Sequence, residues 1–295
     1  MTLKKLTIHC LSATVLLALF AQVGECAILS GSVKNSSGLP INGSTNPITL
    51  IVYQGNPCES PESVKQGSVD SNGRYSIMGV PFGTYYLKAV NGNSSSYIDE
   101  WWNSTGGSLE CAGAEEVEIS TNTKTVDFSL ELGGTISGTV FKSDGKTVLK
   151  YVKIRIWAYS GSPCGTATPI RYADITTWNG QYSIKGLPFG TYSLLSADVE
   201  DSGYVNEWWA SPTSTPDCGG AQTVEITTSG QAITGMNFQL DLGGSISGTV
   251  FQDNGTTPVT GVEVYVLVYS ADVACPSPFD FKKYNCLLNF LPGLI

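Results

Sequence analysis

The sequence repeats itself at intervals of about 107 residues, and no other feature limits its folding options as sharply. Leu29-Ser30-Gly31-Ser32-Val33 returns as Ile136-Ser137-Gly138-Thr139-Val140 and again as Ile246-Ser247-Gly248-Thr249-Val250, displaced by 107 and then 110 residues. Asn72-Gly73-Arg74-Tyr75-Ser76-Ile77 returns as Asn179-Gly180-Gln181-Tyr182-Ser183-Ile184, and Val80-Pro81-Phe82-Gly83-Thr84-Tyr85 as Leu187-Pro188-Phe189-Gly190-Thr191-Tyr192, both displaced by 107. Glu100-Trp101-Trp102 recurs as Glu207-Trp208-Trp209, and Cys111 as Cys218. A period this long describes tandem domains, since solenoid repeats run to about 20–50 residues.

Within a repeat the patterning is that of short strands. Ile48, Leu50 and Val52 alternate with polar or outward residues, as do Val152, Ile154, Ile156 and Ala158 with Lys153, Arg155, Trp157 and Tyr159. Val126, Phe128, Leu130 and Leu132 give a further strand, matched by Met236, Phe238, Leu240 and Leu242. Asn72-Gly73 and Asn179-Gly180 are hairpin signals and predict type I′ turns, with positive φ at both central residues. No segment carries a sustained 3.6-residue stripe. The expected fold class is all-β: tandem antiparallel Greek-key β-sandwich modules, with a small barrel as the alternative.

The expected organisation is a signal peptide at 1–26, modules at 27–132 and 133–242, and a truncated third module at 243–295. Lys4 and Lys5 form a basic start, Leu6 to Phe20 an apolar run, and Gly24 with Cys26 the small residues before a cleavage site. A lipoprotein signal competes with this, but Glu25 stands where it expects a small residue. Lys and Arg then fall from 16 to 14 and Asp and Glu from 25 to 24, so the remainder carries 14 − 24 = −10. The third repeat follows the others through the strand marked by Val262, Val264, Val266 and Val268, and then loses every motif. The chain is expected to be secreted, extracellular or periplasmic, with no integral membrane span.

Charge and residue types exclude several functions. Only 14% of residues are charged, against about 25% in ordinary soluble domains. With a net charge of −9, a basic nucleic-acid binder is excluded, and no nucleic-acid partner is expected. The single histidine, His9, lies in the signal segment. That removes Ser-His-Asp and Cys-His nucleophiles and His-ligated zinc from the rest of the chain. No catalytic residue, metal or cofactor is therefore assigned. Asp70-Ser71-Asn72-Gly73 resembles the start of a calcium loop, but it lacks the bidentate Glu, and Thr177 replaces Asp70 in the second copy. Two-carboxylate glycosidase chemistry finds no repeated acid/base pair, because Glu118/Glu225 and Glu131/Asp241 alternate with apolar residues as solvated faces do. A Lys–Asn isopeptide crosslink of the pilin kind also fails, since Lys34 aligns with Phe141 and Asp127 with Asn237.

Cys58 and Cys111 in the first module, and Cys164 and Cys218 in the second, are predicted to form one disulfide per module. Two cysteines without CxxC spacing or histidine are too few for a structural zinc site.

The Asn-Gly-x-Tyr-Ser-Ile and Pro-Phe-Gly-Thr-Tyr motifs, in modules opening with Ile-Ser-Gly-Thr-Val, resemble those of the carboxypeptidase regulatory-like domain, a transthyretin-like sandwich. The resemblance covers 28–242 in two copies and 243–278 in part. It implies a non-catalytic accessory module, of a fold grouped with carbohydrate-binding sandwiches. In a strand, Trp101 and Trp102 face opposite ways, so one can fill the core while the other stands outside near Glu100. Such a Trp and carboxylate would suit a sugar face and its hydroxyls, and Trp208, Trp209 and Glu207 would repeat the site. The expected function is non-catalytic glycan binding outside the cell, with a polysaccharide or cell-surface glycan as partner. The alternative is a structural spacer or adhesin stalk that contacts other extracellular proteins.

Overall fold

The computed structural model describes residues 25–175 and 178–266. Residues 1–24 of the expected signal peptide, Thr177, and residues from 267 onward, with Val268, lie outside them. Residues up to Asp241 belong to one compact unit and those from Leu242 to another. The first unit holds two β-sandwiches, each with its own core.

The first sandwich comprises β1 (Cys26–Asn35), β2 (Ile48–Gln54), β3 (Glu62–Ser68), β4 (Arg74–Pro81), β5 (Gly83–Asn91), β6 (Glu100–Trp101), β7 (Val117–Ile119), β8 (Thr123–Thr125) and β9 (Phe128–Leu130). One sheet has β1 at its centre, flanked by β4 on one side and by β8 and β9 on the other. The second runs β3-β2-β5, with β6 and β7 along the free edge of β5. The second sandwich repeats this with β10 (Gly134–Lys142), β11 (Ile154–Ser160), β12 (Thr168–Ile175), β13 (Gln181–Leu187), β14 (Gly190–Asp198), β15 (Thr223–Ile226), β16 (Ala232–Ile233) and β17 (Phe238–Leu240). Pairing is antiparallel except between first and last strands, where β8 and β9 run parallel to β1, and β16 and β17 to β10. No α-helix occurs among the described residues.

The repeated motifs have local physical causes. The opening glycine lies where the last strand crosses β1. A Cβ on Gly31 would stand 1.8 Å from the Val126 carbonyl oxygen, and one on Gly138 would stand 2.1 Å from that of Met236. The tyrosine of the Asn-Gly-x-Tyr motif reaches the same point: the Tyr75 hydroxyl donates to Val126 O at 2.6 Å, and that of Tyr182 to Met236 O. Ile48, Leu50 and Val52, and Ile154, Ile156 and Ala158, all point into the cores.

Two local expectations change. Gly73 and Gly180 have positive φ, but Asn72 and Asn179 do not, so neither turn is type I′. In the first, the Asp70 carboxylate accepts the backbone N–H groups of Asn72 and Arg74, which favours a turn with only the glycine left-handed. In the second unit, 242–266 contains a turn closed by Gln252 N–H to Thr257 O and a Phe251–Pro258 bridge. Val262, Val264 and Val266 are exposed and are not part of a strand among the described residues.

Candidate functional site

Strand β6 places the first Glu-Trp-Trp motif on the edge of β5, with Lys88 opposite Trp101 and Ala89 opposite Glu100. The chain then turns back, Trp101 and Ser108 exchanging two backbone hydrogen bonds of 2.8 Å. A 3-10 turn at Cys111–Gly113 delivers Cys111 to Cys58, and the second module forms the matching Cys164–Cys218 disulfide. Both predicted disulfides are therefore present.

The tryptophans do face opposite ways, but neither stands free beside a carboxylate. Trp102 packs against the core edge, and its indole N–H donates to Asp127 O at 3.0 Å. Trp101 lies on the outer face with only 5% exposure, against Tyr53 at 5.3 Å between ring centroids, with the Lys88 ammonium 5.0 Å above its ring. In the second module Trp209 packs on the core, and the partly exposed Trp208 contacts Tyr159 at 5.6 Å.

Glu100 and Glu207 are 2% and 1% exposed. Glu100 Oε1 accepts the backbone N–H of Glu131 at 2.7 Å, and Glu207 Oε1 that of Asp241 at 3.0 Å. Each carboxylate thus ties the Trp segment to the chain leaving the last strand. Burial pushes Glu100 up to about 7 and raises Glu207 as well. The surface platform of Trp plus acceptor expected from the sequence is corrected on this point: both carboxylates are consumed inside the fold.

A different aromatic group occupies the outer face of the second sandwich's β12-β11-β14-β15 sheet. Arg155, Trp157 and Tyr159 are the outward positions of β11, and Tyr172 on β12 lies opposite Trp157. Ring centroids follow at 4.8 Å from Tyr172 to Trp157, 6.3 Å to Tyr159 and 5.6 Å to Trp208. Arg155 stacks on Tyr172 at 3.9 Å and holds Asp174 through Nε at 2.6 Å and Nη2 at 2.9 Å. The signal was present in the strand alternation: the face opposite the apolar one carries Trp and Tyr, which a solvated face does not need.

The two sandwiches meet at Arg171. It is 5% exposed and bonds through Nη1 to Asn91 O at 2.8 Å and Gly92 O at 3.2 Å, and through Nη2 to Asp99 Oδ1 at 2.6 Å. Its Nε donates to Gly186 O within its own sandwich. Gly186, at φ +66°, lies so close to the first sandwich that a Cβ would stand 2.5 Å from Tyr97 O. Gly133 N–H donates to Ser96 O and Ser229 Oγ to Leu132 O, which fastens the crossing segment on both sides.

The molecule is an all-β protein of sandwich architecture. No protein-family model matches the chain. No curated protein matches it either. Among solved structures, the streptococcal ancillary pilin is 12% identical with TM-score 0.33, covering 74% of this chain and 62% of that one. GBS52, the minor pilin of Streptococcus agalactiae, is 14% identical with TM-score 0.31 over 76% and 99%. The Bacillus anthracis TIE protein is 15% identical with TM-score 0.27 over 74% and 34%. This chain thus spans a third to three-fifths of the length of the TIE protein and the ancillary pilin. Likeness of this degree decides nothing about function.

Proposed function

We propose that this chain is a non-catalytic, exported spacer: two disulfide-stapled sandwiches, held at a fixed angle, that carry something away from a surface. The observation behind the proposal is the Arg171 junction. A buried guanidinium bonded to two carbonyls and a carboxylate of the neighbouring sandwich loses those partners if the modules swing apart. Disulfides belong to oxidising compartments, which supports an extracellular or periplasmic setting. The burial of Glu100 and Glu207 supports a non-catalytic reading, because the repeated carboxylates serve the fold. Division into modules at 27–132 and 133–242, and membership of the carboxypeptidase regulatory-like family, belong to the same proposal and rest on the repeated turn motifs. Glycan binding that uses the motif carboxylates is the weaker alternative, since Glu100 and Glu207 are buried.

Spin labels at exposed Lys65 and Glu225 in the full oxidised chain test the spacer reading by the distance between sandwiches. A single narrow distribution is expected, broadened by Arg171→Ala. A broad distribution in the unaltered chain would overturn the proposal.

A further inference from the structure

We propose that the outer face of the second sandwich binds a neutral polysaccharide strand along Tyr172, Trp157, Tyr159 and Trp208, with Arg155 and Asp174 contacting its hydroxyls. The four rings form an unbroken series with centroid steps of 4.8, 6.3 and 5.6 Å, long enough to meet several consecutive sugars. They also cover the strand beneath them. Ser193, between the core residues Tyr192 and Leu194, faces the same side as its cross-strand partner Tyr159, yet is 0% exposed and its hydroxyl has no partner. A serine on an open sheet face would be wet, so neighbouring side chains lie over it, and the rings that do so step round with interplanar angles of 52°, 46° and 57°, a twisted rather than flat apolar face.

The C–H face of a pyranose stacks on such rings, as apolar surface on an aromatic platform does. The rim of hydroxyls needs donors and acceptors beside the rings. Arg155 spends Nε and Nη2 on Asp174 and retains Nη1, while the Asp174 oxygens keep acceptor capacity. The pair is held rigid by its two hydrogen bonds and by the stack on Tyr172.

Charge selects the polymer. Arg155 and Asp174 cancel each other, and the chain carries a net −9, so an acidic polysaccharide meets repulsion without a compensating cation. The first sandwich has Tyr53 and Trp101 in the corresponding places, but Ile51 stands for Trp157 and Gln66 for Tyr172, which leaves two rings where the second has four. Of the two described sandwiches the site therefore belongs to the second, and the first serves as its control.

The experiment is native affinity electrophoresis of the full oxidised chain in gels containing xylan, hydroxyethyl cellulose, glucomannan or amylopectin, with polygalacturonate and a proline-rich peptide as comparisons. Retardation by at least one neutral polymer is expected, weakened about tenfold or more by Trp157→Ala or Tyr172→Ala. Trp101→Ala leaves retardation unchanged while lowering the melting temperature. Because Trp157→Ala could disturb folding, oxidation of Trp157 by N-bromosuccinimide in the unaltered chain is followed by mass spectrometry, and the retarding polymer is expected to protect it. The proposal is overturned if no neutral polymer retards the chain, if a folded Trp157→Ala/Tyr172→Ala chain is retarded equally, if Trp157 is not protected, or if only polygalacturonate or the peptide binds. None of these results bears on the distance measurement that tests the spacer.

Discussion

Glu100 is pushed up to about 7 because burial penalises its charged form, and the nearby Glu131 charge adds to the rise, against the single hydrogen bond from the Glu131 amide. Its pKa in the folded chain exceeds the ordinary value of 4.5, so the folded state binds the proton more tightly than the unfolded state. The stability from this group is fully present below pH 4.5 and is lost as pH rises to about 7, a change of up to about 3 kcal/mol. Asp198 acts in the opposite sense: burial raises it, but hydrogen bonds from Ser202, Glu200 and Tyr204 together outweigh that and hold it low, and that contribution disappears in acid. Maximum stability is therefore expected near pH 5. Glu100→Gln keeps an acceptor for the Glu131 amide and removes the charge; it should raise the melting temperature at pH 7.5 and flatten the decline from pH 5. An unchanged decline, followed by circular dichroism, would show that Glu100 is not its source. Tyr75→Phe deletes only the hydroxyl that meets Val126 O where β1 and the last strand cross. A loss of about 1–2 kcal/mol is expected in urea unfolding, because the buried carbonyl is left without that donor.

At the level of strands, sheets and staples, alternation showed the inner faces directly. Ile48-Leu50-Val52 and Ile154-Ile156-Ala158 are core residues, as period two requires. The parallel pairing of first and last strands was not legible, since alternation says which face a residue takes and nothing about direction. The candidate site was half legible. Glu-Trp-Trp stood out because it repeats, yet repetition marks shared architecture, and Glu100 and Glu207 prove to fasten the chain beyond the last strand. Alternation places Trp157 on the outer face but does not mark it or Tyr172 as a site, because neither repeats: the first sandwich has Ile51 and Gln66 there. The cysteines repeat for a structural reason too. Cys58–Cys111 spans 53 residues and pins the Trp hairpin to the β2–β3 connection. Replacing both cysteines by serine should destabilise the first sandwich by about 4 kcal/mol on the chain-entropy estimate. The effect is read as a lowered denaturant midpoint, and an unchanged midpoint would mean the surrounding hydrogen bonds already fix the hairpin.

Over the whole molecule, the places where the copies differ mark where they touch. Arg171 pairs across its ladder with Ala158, and the corresponding residue in the first copy, opposite Val52, is the exposed Lys65. Asp99 Oδ1 accepts from Arg171 as well as from the Asn91 amide, while its counterpart Asn206 makes the matching bond to the Asp198 amide but carries no charge. The lock draws on different positions of the two copies, Arg171 of the second and Asp99 of the first, and the corresponding positions carry Lys65 and Asn206. The lock should make the sandwiches unfold together. Removing one partner of a fully buried ion pair costs about 3–5 kcal/mol, and a smaller loss is expected here because the Asp99 side chain is 35% exposed. In calorimetry of the full oxidised chain, 25–241 is expected to melt in one transition, and Arg171→Ala to divide it in two, with the first sandwich and its exposed loop carbonyls separating from the second. Asp99→Asn removes the charge while leaving an oxygen for the Asn91 amide, and should give a smaller division. Two transitions in the unaltered chain would mean that the hydrogen bonds at Arg171 orient the modules without coupling their stability.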